Sequence, residues 1–310
     1  MRKILISSAS RAERGLLEPI MTELRKIPDV EAKWFFFNYE THDTPTVLTA
    51  FGTYLRLFNP DILLVPCDRP EAVHIAAHAF NNGFIVGQFH AGDVNEGTTD
   101  EMNRYAISFL SHILFCETEQ ARQNLLRMGF EPERLFTVGS TVLDNIEIDN
   151  SLCPDEPYDL VLLHPDTVSE VQTYKDIRQT INEIRKKAYP NVIWLEPNFD
   201  RNSHIIRHFL KQLPYTADLI PYVQNFTTYG NMPRPKFLGL LKHCSRAIGN
   251  SSAYTYELPL INPDAKLVKI GERNRWRNPP SPELGGSQKI AQILATIPID
   301  DNLRRKRISH

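Results

Sequence analysis

The sequence predicts an α/β protein built from two doubly wound, Rossmann-like domains in tandem. Short apolar runs alternate with longer segments in which apolar residues recur at helical spacing. This alternation is typical of parallel sheets that are covered by helices on both faces. The rhythm stops once, in the segment 144–159, which is rich in Asp, Asn and Pro, and then restarts. We interpret this segment as a linker. We therefore expect an N-terminal domain over residues 1–150 and a C-terminal domain over residues 151–310.

The apolar runs predict the strands of each sheet. In the first half the runs are Ile4–Ser7, Trp34–Asn38, Ile62–Pro66, Phe84–Phe89, Ile113–Cys116 and Leu135–Val138. In the second half they are Leu160–Leu163, Val192–Leu195, Leu219–Val223, Arg246–Gly249 and Leu267–Ile270. Ligands bind such folds at the carboxyl ends of the strands, so the polar residues that follow each run are the candidate site residues.

Composition and charge exclude several classes of protein. The 35 basic and 37 acidic side chains give a net charge of −2, so the chain has no general attraction for nucleic acid or an acidic membrane. The four cysteines lack the spacing of a zinc site or a disulfide framework, which predicts no metal and a reducing compartment. No apolar run is long enough for a secretion signal or a membrane span, so we expect a cytoplasmic protein. We interpret the basic cluster 304–307 as a solvated tail.

Three polar clusters follow strands of the first predicted sheet. Arg11 stands at a predicted helix start without a dinucleotide fingerprint; it could bind a phosphate or carboxylate, or be a solvated residue beside a helix cap. Asp68 and Arg69 precede Pro70, so either could be only the cap of the next helix. The densest cluster contains His90, Asp93, Glu96, Asp100, Glu101 and Arg104. Close carboxylates repel one another, and one of them tends to keep a proton near neutral pH, as acid–base catalysis requires.

Two further clusters follow strands of the second predicted sheet. His164 ends an apolar run, where it could donate to a phosphate, move a proton, or be structural. The run Asn250, Ser251 and Ser252, followed by Glu257, can present hydroxyls and amides to a diphosphate. The segment 271–277 adds Arg273, Arg275 and Arg277. Together the clusters predict a site for an anionic ligand with carboxylates on one wall.

Read in order, these clusters resemble the motifs of the UDP-N-acetylglucosamine 2-epimerase family, especially its hydrolysing branch. The matching segments are Ser10–Glu13, Asp68–Glu71, His90–Asp93, Asp100–Arg104, Ser111–His112, Gly139–Asp144, His164–Thr167, Pro197–Asp200 and Gly249–Ser252. The resemblance implies two Rossmann-like domains that face a cleft, the glycosyltransferase B-type (GT-B) fold. It also implies a nucleotide-sugar substrate, a reaction with neither metal nor cofactor, a place in sialic-acid or related nonulosonate synthesis, and a homodimer.

The family reaction has two steps, and the resemblance assigns residues to them by position. A base removes the proton at C2 of the sugar while the nucleoside diphosphate leaves C1, and water then adds to the resulting glycal. The resemblance implies that Asp68, Asp100 and Glu101 act as acid–base groups, that His90 and Asp93 lie on the same wall, and that Arg104 orients it. It further implies that His164 is a catalytic residue that contacts the diphosphate or assists its departure. The nucleoside diphosphate would be bound by Arg11, Ser140, Asn250, Ser251, Ser252, Glu257, Arg273 and Arg277.

Two departures from the family pattern keep other functions open. Tyr254 and Trp276 stand where family members usually have small residues, in the half expected to bind the nucleotide. A glycosyltransferase on the same fold would move the sugar to an acceptor. A catalytically inactive paralogue would bind a nucleotide sugar without turnover.

Overall fold

The chain forms two compact units, each with one parallel sheet. A computed structural model describes residues 1–8, 11–36, 43–94, 99–187, 189–212, 223–273 and 279–308. Unit 1 comprises Met1–Val94, Thr99–Asn145 and Pro280–His310, and unit 2 includes Ile146–Pro279. The change of unit after Asn145 lies close to the boundary that the sequence predicts at residue 150. The segment Pro280–His310 differs from that division, because it packs on unit 1.

Unit 1 is built around a six-stranded parallel sheet with the order β2-β1-β3-β4-β5-β6. Its strands are β1 (Arg2–Ser8), β2 (Val30–Phe36), β3 (Ile62–Val65), β4 (Ile85–Gln88), β5 (Ile113–Cys116) and β6 (Leu135–Thr137). The helices between them are α1 (Arg11–Lys26), α2 (Thr44–Phe58), α3 (Pro70–Asn81), α4 (Thr99–Leu110) and α5 (Glu119–Arg127). Successive side chains of a strand point to opposite faces, so Ile4 and Ile6 pack into one buried cluster while Leu5 packs into another.

Unit 2 is built around a five-stranded parallel sheet with the order β11-β10-β7-β8-β9. Its strands are β7 (Tyr158–Leu162), β8 (Asn191–Leu195), β9 (Asn225–Tyr229), β10 (Arg246–Gly249) and β11 (Lys266–Lys269). Its helices are α6 (Glu170–Lys186), α7 (Ser203–Gln212), α8 (Arg234–His243), α9 (Ala253–Tyr256) and α10 (Leu258–Ile261). The run predicted as a strand at Leu219–Val223 lies outside the described residues except for Val223, and the strand of this region is β9.

The predicted linker 144–159 ends too late. Tyr158 and Asp159 belong to β7, and Asp159 is fully buried. Its carboxylate accepts two hydrogen bonds from Arg246 on the neighbouring strand β10, at 2.7 and 2.5 Å. The sequence alone does not distinguish a charged residue that is buried with a distant partner from one that is solvated. For this reason the predicted linker wrongly includes Asp159.

The C-terminal segment is an integral part of unit 1. Ile290 and Leu294 of α11 (Gly286–Thr296) join the buried cluster that contains Ile20 and Leu24 of α1. The Asp144 carboxylate accepts from the main-chain N–H groups of Gly285 and Ser287, both at 2.9 Å. These bonds satisfy donors that a helix start leaves without partners, so Asp144 fixes where α11 begins.

The prediction of a solvated basic tail is wrong for Lys306. Its ammonium group donates to the carbonyls of Ser108 and Ser111 at 2.6 and 2.7 Å, and lies 4.7 Å from the centre of the Phe130 ring. Burial lowers the pKa of Lys306 to about 7. The segment before Lys306 is also fixed in place. It contains the short helix α12 (Asp301–Arg304), and the buried guanidinium of Arg134 donates to the carbonyl of Leu303 in this helix at 2.7 Å.

Candidate functional site

The strand order of each sheet marks the place where a ligand site is expected. In unit 1 the chain passes from β1 to β2 on one side and then to β3 on the other side of β1. In unit 2 the same reversal separates β7 from β10. Crevices for ligands form outside the carboxyl ends of strands at such reversals. Asp68 follows β3 in unit 1, and His164 and Asn250 follow β7 and β10 in unit 2.

Arg104 is fully buried in α4 and holds the polar cluster of unit 1 together. Its guanidinium donates to the Asp68 carboxylate and, at 3.0 Å, to the main-chain carbonyl of Asp93. One cation therefore connects the loops after β3 and β4 to the helix that follows. A guanidinium stays charged at all relevant pH values and donates in a fixed planar geometry, so it suits this positioning role. The Asp68 side chain keeps 18% of its surface exposed, which leaves it accessible from outside the cluster.

Gln88, which sequence reasoning missed, supports this cluster from the end of β4. Its buried amide donates to the carbonyls of Cys67 at 3.1 Å and Arg104 at 2.9 Å, and it accepts from the Ser108 hydroxyl at 2.6 Å. The amide thus joins the loop that carries Asp68 to the helix that carries Arg104. A polar residue at the end of an apolar strand was the signal that could have found it.

Asp100 and Glu101 occupy the first turn of α4, one turn before Arg104. Both are partly buried. The positive end of a helix dipole favours the ionised form of carboxylates at such positions. Burial raises the pKa of the neighbouring Tyr105 phenol, and the charge of Glu101 adds to that effect. Asp68 does not cap α3, since the residue at that position is Arg69 and α3 begins at Pro70.

His90 is the second residue after β4 and has a left-handed backbone conformation, with φ of 54°. Its ring stacks on Phe89, with 4.1 Å between the ring centres. The Nε2 atom lies 3.6 Å from Oε2 of Glu117, which follows β5, and both side chains are buried. Sequence reasoning missed Glu117, because a single Glu after an apolar run carries no distinguishing spacing.

Asn250 joins the two loops at the strand reversal of unit 2. Its side-chain oxygen accepts from the main-chain N–H of His164 at 2.7 Å, and its amide donates to the His164 carbonyl at 2.9 Å. Both polar groups of the side chain are therefore used to position His164. The neighbouring Ser251 is buried, and its hydroxyl accepts from the main-chain N–H of Ala253 at 3.2 Å. Ser252 is partly buried beside it.

His164 is uncharged at neutral pH in this environment. Burial lowers its pKa to about 4, and the positive charge of Arg273 adds to this effect, while the negative charge of Asp200 opposes it. The Arg273 guanidinium donates to the Pro165 carbonyl at 2.9 Å and lies 3.5 Å from the Asp200 carboxylate. Nδ1 of His164 is buried, and the described residues offer it no hydrogen-bond partner. A neutral imidazole with an arginine close by is able to donate to an incoming anion.

Ser140 and Glu257, which are also predicted to bind the nucleotide, are both buried. Ser140 is fully buried, and its main chain pairs with Glu283 at 2.7 Å and Gly286 at 3.1 Å, so the structure gives it a role in packing the C-terminal segment. Glu257 is buried and accepts from Arg234 at 3.1 Å. Arg277 lies outside the described residues, as does Trp276.

Of Arg11, the structure describes only the main chain, at the start of α1.

The side chain of Tyr254 is described, and it lies in the core rather than against the loop after β10. Its ring is buried in the core of unit 2, and its hydroxyl donates to the Leu160 carbonyl at 2.7 Å.

Within the described ranges, no group of three or more His, Cys, Asp or Glu side chains could hold a metal ion. No helix of the same ranges is long and apolar enough to cross a membrane.

Comparison with known proteins identifies similar sequences. A sequence model described as UDP-N-acetylglucosamine 2-epimerase matches residues 20–297. The UDP-N,N'-diacetylbacillosamine 2-epimerase (hydrolyzing) of Legionella pneumophila is 32% identical over 241 residues, which cover 74% of this chain and 61% of that protein. The GDP/UDP-N,N'-diacetylbacillosamine 2-epimerase (hydrolyzing) of Campylobacter jejuni is 24% identical over 325 aligned positions, covering 89% of this chain and 82% of that protein.

Solved structures show the same fold. The UDP-GlcNAc 2-epimerase of Methanocaldococcus jannaschii, in complex with UDP-GlcNAc and UDP, matches with a TM-score of 0.71 at 19% identity, covering 95% of this chain and 99% of that one. The enzyme of Neisseria meningitidis bound to UDP-GlcNAc matches with a TM-score of 0.69 at 18% identity, covering 97% of this chain and 93% of that one. The two parallel sheets therefore belong to Rossmann-like domains of the GT-B type.

Proposed function

The chain belongs to the UDP-N-acetylglucosamine 2-epimerase family, and on that premise we propose that it is a hydrolysing nucleotide-sugar 2-epimerase. The reaction releases the nucleoside diphosphate and the free sugar with inverted configuration at C2. Two relatives whose names include "hydrolyzing" support this branch of the family. UDP-N-acetylglucosamine and UDP-N,N'-diacetylbacillosamine are the two substrates to be tried first.

The observation that carries the proposal is the cluster around Arg104. The first step breaks the C2–H bond and the bond from C1 to the diphosphate oxygen, and it forms a C1–C2 double bond. The C2 proton is very weakly acidic, so the step needs a base fixed at the carbon and a stabilised leaving group. Asp68 is held by a buried guanidinium and stays partly exposed, which suits a fixed base. Asp100 and Glu101, one turn before Arg104, supply further acid–base groups.

The second step adds water to the glycal. The hydroxyl group bonds to C1, and a proton bonds to C2 on the ring face opposite to the one from which the first proton was removed. Two different groups must therefore exchange protons with C2, one on each face. This requirement explains why one unit carries several carboxylates and a histidine near the ends of β3 and β4. We assign the two roles to this set without dividing them between its members.

In unit 2, the loop residues after β7 and β10 would bind the diphosphate. His164 is neutral before binding, so it donates one hydrogen bond without a full charge. A bound diphosphate places negative charge beside the imidazole and favours its protonated form, so binding is accompanied by proton uptake. The Arg273 guanidinium donates to the adjacent Pro165 carbonyl and supplies a permanent positive charge.

We further propose a cytoplasmic homodimer, the assembly that is commonest among symmetric oligomers.

Substitution of two carboxylates tests the proposal. Asp68→Asn and Asp100→Asn each remove one negative charge at nearly constant size, and kcat for UDP release should fall by about 10²–10⁴-fold. Affinity for UDP should stay within about threefold, because we propose that neither carboxylate contacts the nucleotide. Glu183→Gln is the control, since Glu183 is a surface carboxylate paired with Lys186 at 2.5 Å.

Three outcomes would contradict this proposal. Full activity in both Asn variants would remove the carboxylates from the mechanism. Release of UDP only in the presence of a second sugar would identify a glycosyltransferase. Nucleotide-sugar binding without turnover by the wild-type protein would identify a binding paralogue.

A further inference from the structure

We propose that Glu117 is a positioning residue that orients His90 and fixes its tautomer for the proton transfers of the epimerase reaction. The inference deepens the proposed function and rests on it. Glu117 lies outside the segments that resemble the family motifs.

The sheet itself brings the two side chains together. Strands β4 and β5 are parallel neighbours, with Gln88 opposite Leu114. Glu117 directly follows β5, and His90 is the second residue after β4, so both lie at the same edge of the sheet. The main chain beside the pair is also hydrogen-bonded between the two segments, because the Ala91 N–H donates to the Phe115 carbonyl at 2.9 Å.

Both partners of the pair are held on their other sides. One Glu117 oxygen accepts from the main-chain N–H of Ser281 at 3.4 Å, which leaves Oε2 directed at the imidazole. The His90 ring is stacked on Phe89. His90 also adopts a left-handed backbone conformation that is unfavourable for a non-glycine residue, and such strain concentrates at functional sites.

The chemistry of the pair follows from its burial. The exposed fractions of the His90 and Glu117 side chains are 10% and 6%, so water screens their interaction poorly. A carboxylate beside Nε2 favours the tautomer with the proton on Nε2, which places the lone pair of the ring on Nδ1. The distance of 3.6 Å exceeds a hydrogen bond, and such contacts often shorten when substrate binds.

A packing role alone does not account for a carboxylate at this position. The Ser281 N–H needs only an acceptor, and a neutral amide oxygen would serve. A buried carboxyl group needs a hydrogen-bond donor for each of its oxygens, and Ser281 serves only Oε1. In the described part of the chain, His90 is the ionisable side chain within ion-pair distance of Glu117.

A double-mutant cycle separates positioning from packing. Glu117→Gln keeps an acceptor for Ser281 and removes only the charge. His90→Asn replaces the imidazole with a residue that tolerates the left-handed backbone. We expect Glu117→Gln to lower kcat about 10–100-fold with KM changed less than about threefold. In the His90→Asn background, Glu117→Gln should lower kcat no further, because the two residues act as one unit. Glu117→Asp should recover part of the loss, and Glu183→Gln should be neutral.

The ring nitrogens provide a readout that needs no turnover. Nitrogen-15 NMR of histidine-labelled protein should show His90 protonated on Nε2 in the wild type and a mixture of tautomers in Glu117→Gln. An unchanged tautomer in Glu117→Gln would overturn the inference, as would an equal loss of kcat in both backgrounds. If the wild-type protein turns over neither nucleotide sugar, the proposed function fails, while the NMR measurement still decides whether Glu117 sets the state of His90.

Discussion

Acidification is expected to destabilise unit 1 through His112. This residue precedes β5 and is buried, and its Nδ1 accepts a hydrogen bond from the main-chain N–H of Val86 at 3.1 Å. Protonation of Nδ1 would break that bond and place a charge in a buried region. Burial lowers the pKa of His112 from 6.5 to about 4, and the positive charges of Lys306, Arg134 and Arg304 add to this effect.

The sign and size of the effect follow from proton linkage. Between pH 6.5 and about 4 the unfolded chain binds a proton at His112 that the folded protein does not bind. The free energy of unfolding therefore falls as the pH falls through this window, and the full contribution is present above pH 6.5. The difference between the two pKa values corresponds to about 3 kcal/mol, at about 1.4 kcal/mol for each pH unit.

Urea unfolding at a series of pH values measures this contribution, with His112→Asn as the matched variant. The Asn side-chain oxygen can take the place of Nδ1 as the acceptor for Val86 but cannot be protonated in this range. The variant has a smaller side chain and should be less stable at pH 7.5 by about 1–2 kcal/mol. Its further loss of stability on acidification to pH 4.5 should be smaller than that of the wild type by about 2–3 kcal/mol. An equal loss in both proteins would refute the assignment to His112.

Three other substitutions test separate parts of the structure. Asp159→Asn should lower the free energy of unfolding by about 3–5 kcal/mol, because it leaves the buried charge of Arg246 uncompensated; a loss under 1 kcal/mol would contradict a buried pair. Gly249→Ala should prevent normal folding of unit 2, seen as loss of the cooperative thermal transition, because φ is 145° and an added Cβ would lie 2.0 Å from the Leu162 carbonyl oxygen. His164→Asn should abolish proton uptake on UDP binding at pH 6, measured by calorimetry in two buffers of different ionisation enthalpy; unchanged uptake would assign the proton elsewhere.

Most strands could be predicted from the sequence because they are short and buried on both faces. Every residue of β3 and β5 is buried, so these strands appear as uninterrupted apolar runs. β2 lies at a sheet edge and is only partly buried, and it begins at Val30, four residues before the predicted run at Trp34. Hydrophobic pattern weakens where one face of a strand meets solvent.

The placement of the C-terminal segment could not be predicted for a different reason. Its helix α11 is amphipathic, and that pattern indicates only that one face is buried. It does not identify the unit against which the face packs. The Asp144 cap and the Lys306 contacts join residues far apart in the chain, and one sequence gives no signal for such pairs.

The sequence indicated which residues lie at the candidate site better than it indicated what each residue does there. The rule that ligands bind after strand ends found Asp68, His90 and His164, because the rule depends only on topology. It did not separate side chains that face a ligand from those that hold the loop. Asn250 uses its amide to position His164, and Ser140 is buried beneath the C-terminal segment. Such roles depend on partners that only three-dimensional structure brings together.

The most direct test of the central claim is incubation of the purified protein with each nucleotide sugar in deuterated water, followed by proton NMR. UDP-N-acetylglucosamine and UDP-N,N'-diacetylbacillosamine should be tried in parallel, with Asp100→Asn as the control. A hydrolysing 2-epimerase should release UDP together with a free 2-epimeric sugar that carries deuterium at C2. Release of a sugar that keeps its original C2 proton and configuration would show simple hydrolysis and contradict the proposed function.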